Sequence, residues 1–219
     1  RLLVDGTLDA ILSIYFVSCV LIFFKIKYLN HNNYDYVLLF GFCIILPLLK
    51  LEGIFLLLSI IFSSIIVFIQ KKKFDILLIS ITMISLIPII FWHLFSYKVL
   101  INVTENQNIF NHVNFFQNIS LYDNYYLIFD YVFLNEKFLL SLSFFIISIF
   151  FIDKQKKSGL GFIILTSFFY LTILFLAYMS TTLDMEWHLN SSATRVIKPI
   201  SLLFFIFSIY NISSAQTKY

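Results

Sequence analysis

Seven blocks of 13 to 20 mostly apolar residues succeed one another along this chain of 219 residues, and none shows the polar stripe of an amphipathic helix. A hydrocarbon core of about 30 Å is crossed by roughly 20 apolar residues in a helix, and by fewer where flanking side chains snorkel. The blocks therefore read as membrane spans, at Leu8–Phe24, Tyr36–Leu49, Ile54–Ile69, Ile76–Phe95, Phe138–Ile152, Leu160–Met179 and Ile200–Ile212. Only 12% of residues are charged and 60% are hydrophobic, about half the charge of a soluble domain. With 28 Phe and 13 Tyr the chain is too aromatic for disorder, and continuous apolar runs replace the alternation a β-barrel requires. The reading is an all-α polytopic membrane protein, a single transmembrane domain over residues 1–219 with about seven spans.

The second and third blocks invite one long helix. A helix over 36–69 would hold 34 residues and run about 51 Å, far beyond the bilayer, so a reversal is expected at Lys50-Leu51-Glu52-Gly53, with Gly53 supplying the turn. Lysines cluster at Lys25 and Lys27, at Lys71 to Lys73, and at Lys154, Lys156 and Lys157. Seven spans bring all three clusters to one side, which the positive-inside rule makes cytoplasmic. The net charge of +3 is small, its placement matters more than its size, and no nucleic-acid partner is expected. Membrane lipids are the expected surroundings, and the bacterial inner membrane with the active face outside the expected location. Cys19 and Cys43 fall inside apolar runs and read as small packed hydrophobes. Arg1 opens the chain without a signal-peptide pattern, and the sequence reads as a piece of a longer protein.

Residues 96–137 are too long for a plain connector and too aromatic for a flexible one, and are read as an external, membrane-lying loop. Ile109, Phe110, Val113, Phe116 and Ile119 recur every three or four residues, the mark of an in-plane helix, and Tyr125, Tyr126, Phe129, Tyr131 and Phe133 add an interfacial aromatic belt.

Three polar constellations fall on the side opposite the lysines. Asp5-Gly6-Thr7-Leu8-Asp9 opens the first span with two acids, one more than a helix cap explains. Lys50 and Glu52 sit in the hairpin turn; residues two apart do not face each other on a helix, so each is expected to have its own partner. At a membrane rim, removal of either is expected to cost folding about 1 kcal/mol or less. The third constellation runs from Asp184 to Arg195. Beside 13 lysines the chain has two arginines, and Arg195 offers the planar fork that grips a phosphate at two points. His188 and Glu186 are acid/base candidates nearby, and Trp187 reads as an interface anchor. No Gly-rich phosphate loop, nucleophile elbow or metal-ligand spacing is present in the sequence.

In order, these motifs resemble the C-terminal half of GT-C membrane glycosyltransferases, the clan of aminoarabinose transferases and protein O-mannosyltransferases. The likeness is carried by Asp5-Gly6-Thr7-Leu8, by Lys50-Leu51-Glu52-Gly53 about 45 residues on, and by Ser192-Ala193-Thr194-Arg195 before the last span. It implies transfer of a sugar from a polyprenyl-phosphate donor to a lipid, glycan or protein acceptor at the extracytoplasmic face. By the same resemblance Lys50 and Arg195 bind the donor phosphate, while Asp5, Glu52 and His188 shape the substrate pocket. The catalytic acid of such enzymes lies in an earlier external loop, upstream of this chain, together with any divalent metal beside it. A multi-span transporter or flippase subunit is the competing class, with charges inside helices near mid-bilayer; a glycan polymerase of the same membrane is a third.

Overall fold

The computed structural model describes residues 2–29, 31–71, 75–91, 112–152 and 154–216, helical almost throughout. The helices are α1 (Leu2–Tyr28), α2 (Asn33–Leu49), α3 (Leu51–Lys71), α4 (Ile76–Ile84), α5 (His112–Ser120), α6 (Tyr122–Ile128), α7 (Glu136–Ile149), α8 (Lys154–Met179), α9 (Met185–Val196) and α10 (Lys198–Gln216). A π-helical turn, Phe129–Phe133, follows α6.

Starts and stops obey local chemistry. Carboxylate or amide oxygens of Asp75, Asn135 and Asp184 accept hydrogen bonds from the first free backbone amides of α4, α7 and α9, as N-caps do. The sequence predicts one helix through Ile76–Phe95, and residues 92–95 lie outside the described residues. Within the rest, a turn at 85 and 86 interrupts the helix. Pro88 supplies the reason: it has no N–H for the Ile84 carbonyl, and Leu86 bonds instead to Met83 at 3.1 Å.

Four helical stretches are long and apolar enough to cross a membrane: Leu8–Tyr28, Glu52–Gln70, Gly159–Met179 and Met185–Ser213. Tyr122–Phe133 and Glu136–Ile149 join at a 63° bend and make a fifth if counted as one broken span, while Asn33–Leu49 and Ile76–Phe91 are shorter.

The core is aromatic. α1 packs on α2, α3 on α8, and α10 on both α7 and α1. Phe23 stacks on Phe162 at 4.3 Å and Phe145 on Phe204 at 4.5 Å, and offset stacks of this kind add to the area they bury. Cys19 and Cys43 are reduced and buried in the α1–α2 seam, sulfurs 3.8 Å apart, as packed hydrophobes. Buried hydroxyls of Ser59, Ser63, Ser64, Thr166, Ser167 and Ser208 bond back to carbonyls three or four residues earlier, so these six need no partner on another helix.

Contacts give the bundle two unlike ends. At one, Gly159 at the start of α8 lies so close to Phe24 and Tyr28 that a methyl group there would collide with both rings. The Lys27 ammonium caps the Phe68 ring at 4.3 Å, and Lys25 meets Asp35 at 2.9 Å. The ends of α1 and α3 and the first turns of α8 thus lie together. Lys25, and then the Asn32 amide, hold the Asp35 carboxyl below the usual carboxylate range. The other end carries the start of α1, the α2–α3 turn, the end of α8 and all of α9.

Candidate functional site

The α2–α3 reversal falls at Lys50, whose backbone is extended at φ −163°, ψ 157° and so leaves the helical path. Gly53 does not supply the turn. It lies inside α3, its N–H bonded to the Lys50 carbonyl at 2.9 Å, and an added Cβ would run into the Leu46 backbone carbonyl. Glycine is used here for close helix approach.

The extended residue changes where the charges point. Lys50 Nζ lies 2.7 Å from Asp9 Oδ1 and 3.4 Å from Glu52 Oε1. The expectation that Lys50 and Glu52 face apart is therefore corrected: the i, i+2 rule holds on a continuous helix, and Lys50 stands outside one. The rim estimate for folding left out the pair that Lys50 makes with Asp9. Asp9 is only 4% exposed, and among the described residues its second oxygen, Oδ2, is buried without a partner.

Asp5 occupies the first turns of α1, one turn before Asp9, and its side chain lies outside the described set. The acid brought to Lys50 is Asp9, noted in the sequence for its spacing but not placed among the site residues. Arg195, half-buried near the end of α9, has an Nε that is buried without a partner among the described residues. Among the described residues no carboxylate lies within ion-pair distance of it. His188, two turns earlier on the same face of α9, directs Nδ1 to Thr181 Oγ1 at 3.0 Å and sets its ring edge-on to Tyr178 at 5.1 Å.

Two tyrosines knit these parts together. Tyr170, fully buried in α8, donates to the Val196 carbonyl at 2.7 Å and fixes the end of α9. Tyr178 donates to Ser192 Oγ at 2.8 Å, and that hydroxyl donates to the His188 carbonyl at 2.6 Å. Asp9 and Glu52 both lie within electrostatic reach of Tyr170; Glu52 and Arg195 both lie within reach of Tyr178 and of His188. The three constellations, separated by some 40 and 135 residues in sequence, thus converge on one end of the bundle. Tyr170, Tyr178 and Thr181 carry no sequence signal, because a tyrosine or threonine within or beside an apolar run reads as core. Among the described residues no three His, Cys, Asp or Glu side chains gather as a metal-binding set.

Beside the site, α5 and α6 wrap the end of α8. Asn118 Nδ2 donates to the Met179 and Thr181 carbonyls at 3.0 and 3.3 Å, and Asn114 Nδ2 to Thr181 at 3.3 Å. Ile109 and Phe110 of the expected apolar face lie outside the described residues; Val113, Phe116 and Ile119 are all exposed. An aromatic pocket of about 330 Å³ opens between α6, the π-helical turn and α8, lined by Tyr122, Tyr125, Tyr126, Ile128, Phe129, Phe133 and Phe175.

The chemistry this arrangement offers is anion recognition. Lys50 is shared by two carboxylates, whereas the half-buried Arg195 presents one buried donor, Nε, that meets no acceptor among the described residues. A buried donor of this kind costs about 1–3 kcal/mol while it is unpaired. No known protein family, curated protein or solved structure matches the chain.

Proposed function

We propose that the chain is the donor-binding part of a GT-C type membrane glycosyltransferase, which moves a sugar from a polyprenyl phosphate to an acceptor outside the membrane. One observation carries this reading: the buried, partnerless Arg195 Nε beside the Asp9, Lys50 and Glu52 cluster. A guanidinium fork fits the two terminal oxygens of a phosphate, and the charge that grows on a leaving phosphate is best met by a preorganised cation away from water. In this scheme Arg195 grips the phosphate and Lys50 joins it, while Glu52 and Asp9 face the sugar. Seven spans put the lysine-bearing ends in the cytoplasm and the cluster outside. The exposed face of α5 then lies in the interface, and the aromatic pocket receives part of the isoprenoid chain.

The test is turnover of a polyprenyl-phosphate sugar by the full-length protein. Arg195→Lys, which keeps charge and loses the fork, is expected to lower kcat/KM by about 10- to 150-fold, equivalent to roughly 1.5–3 kcal/mol for a charge-assisted bond. Lys98→Ala, outside the cluster in sequence, is expected to change it little. Near-normal turnover by Arg195→Lys refutes the phosphate grip.

A transporter remains the second reading because Asp9 is buried within a helix and ion-paired, as pathway charges are. Uptake or flipping of a lipid-linked sugar into vesicles, without glycosidic bond formation, would favour it.

A further inference from the structure

We propose that His188 serves as a neutral hydrogen-bond donor, through Nε2–H, to an oxyanion of the ligand held at Arg195, and that Thr181 is the positioning residue that fixes this tautomer. The ligand's identity rests on the transferase reading; the tautomer rests on hydrogen bonds alone.

Thr181 is 7% exposed, so its hydroxyl must find its partners inside the protein. The Leu183 amide donates to Oγ1 at 3.2 Å. That leaves the hydroxyl hydrogen to be placed, and among the described residues the acceptor within reach is His188 Nδ1 at 3.0 Å. The alternative has Nδ1–H donating to Oγ1, which fills the oxygen's lone pairs and strands its hydrogen in a buried site, at a cost comparable to a lost hydrogen bond. The hydroxyl therefore donates to Nδ1. Nδ1 is bare, and the ring proton sits on Nε2.

Neither partner is loose. The Thr181 carbonyl accepts from both Asn114 and Asn118, and its amide donates to the Tyr178 carbonyl at 3.1 Å. The His188 amide bonds to Asp184 at 3.0 Å, its carbonyl accepts from Ser192, and Tyr178 covers the ring's side. Nε2 has no partner among the described residues. The charged groups that act on the ring are Glu52 from α3 and Arg195 from α9, with Tyr178 of α8 against it. A proton fixed on Nε2 makes His188 a donor that adds to Arg195 in holding an oxyanion, without itself gaining or losing a proton. Asn114 and Asn118 connect this setting to α5, so the helix with the exposed apolar face supports the site through Thr181.

The experiment is nitrogen-15 histidine labelling of the full chain in detergent micelles at about pH 8, above the ordinary histidine pKa of about 6.5. His188 is assigned by the signal missing from His188→Gln, and the multiple-bond proton–nitrogen pattern distinguishes the tautomers. The native protein is expected to show Nε2–H. Thr181→Ser should retain it, while Thr181→Val, equal in shape but without the hydroxyl, should give a mixture. Addition of methyl phosphate should shift the Nε2–H signal of the native protein and not that of Arg195→Ala. An Nδ1–H tautomer in the native protein, or one unchanged in folded Thr181→Val, overturns the role of Thr181. No response to methyl phosphate overturns the role of His188 as an oxyanion donor. In sugar transfer, Thr181→Val should lose roughly 10-fold in kcat with KM nearly constant, for one hydrogen bond weakened, and Thr181→Ser should recover it. If the tautomer is as expected and the full-length protein transfers no sugar, the transferase reading fails while the assignment of the proton stands.

Discussion

Replacing Lys50 by methionine tests whether the ion pair with Asp9 is a buried interaction or a solvated one. In the intact protein Asp9 has one oxygen on the Lys50 ammonium at 2.7 Å and the other without a partner. Lys50→Met keeps most of the apolar stem and strands a carboxylate that is 4% exposed. Breaking a buried pair in this way costs about 3–5 kcal/mol, because the remaining charge keeps its desolvation penalty and loses its compensation. The reverse change, Asp9→Asn, is milder: Lys50 is 24% exposed at its side chain and still has Glu52 at 3.4 Å, so the loss is that of one charged hydrogen bond, about 1.5–3 kcal/mol.

The double variant Lys50→Met/Asp9→Asn removes both charges and should be more stable than Lys50→Met alone. The coupling between the two positions is then expected at about 2–3 kcal/mol. Equilibrium unfolding by added SDS in detergent micelles measures all four proteins of the cycle. Single substitutions that each cost under about 1 kcal/mol and add without coupling would mean that water or headgroups reach Asp9, and the burial argument would be refuted.

Three further outcomes follow from other parts of the bundle. Gly53→Ala should lower stability by about 1–3 kcal/mol in the same assay, since its Cβ meets backbone rather than a movable side chain; unchanged stability would show that α2 and α3 can separate freely. Asp35 is held as a carboxylate by Lys25, so its contribution is present above the ordinary carboxyl pKa of about 3.9 and fades as the pH falls through its lowered folded value. The stability gap between wild type and Asp35→Asn should therefore be full at neutral pH and close in acid; a gap that widens in acid refutes it. In intact cells, with Cys19 and Cys43 replaced, an impermeant maleimide should label a cysteine placed at Asp184 and leave one placed at Gln155 unlabelled, and the opposite pattern would invert the topology.

The helices were legible because length alone disciplines apolar runs: a 34-residue helix over 36–69 cannot fit the bilayer, so a reversal had to fall near Lys50. The side-chain geometry at that reversal was not legible. Spacing rules presume that the backbone between two residues is known, and one extended residue at Lys50 brought together two charges that a helix would have kept apart. Pro88 was visible, yet an apolar run on both sides of it masks the break it causes. Of two acids one turn apart at the start of α1, sequence gave no ground for preferring Asp9, because the choice depends on which face of α1 the α2–α3 turn covers. Arg195 and His188 stood out by rarity, a property of composition. Their supports, Tyr170, Tyr178 and Thr181, act through hydroxyls whose partners are 7 to 26 residues away, and periodicity assigns such residues to the core.

The cluster at this end has two acids and two cations, and its neutrality as a whole lowers the cost of the one member that is buried, Asp9. The pairing inside it is nevertheless unequal. Both carboxylates lie beside Lys50, and Arg195 has its Nε buried and unmatched. A purely structural network would gain by spreading the acids over both cations, and Tyr170 holds α9 against such a rearrangement by tying the Val196 carbonyl to α8. On the reading proposed above, an anion arriving at the half-buried Arg195 completes the cluster without first having to break the Lys50–Asp9 pair. A ligand bound in this way should leave the unfolding cost of Lys50→Met intact while stabilising wild type and Asp9→Asn alike. Methyl phosphate added to the SDS titration supplies that comparison, and selective stabilisation of Asp9→Asn would show that the anion competes with Asp9 for Lys50 instead.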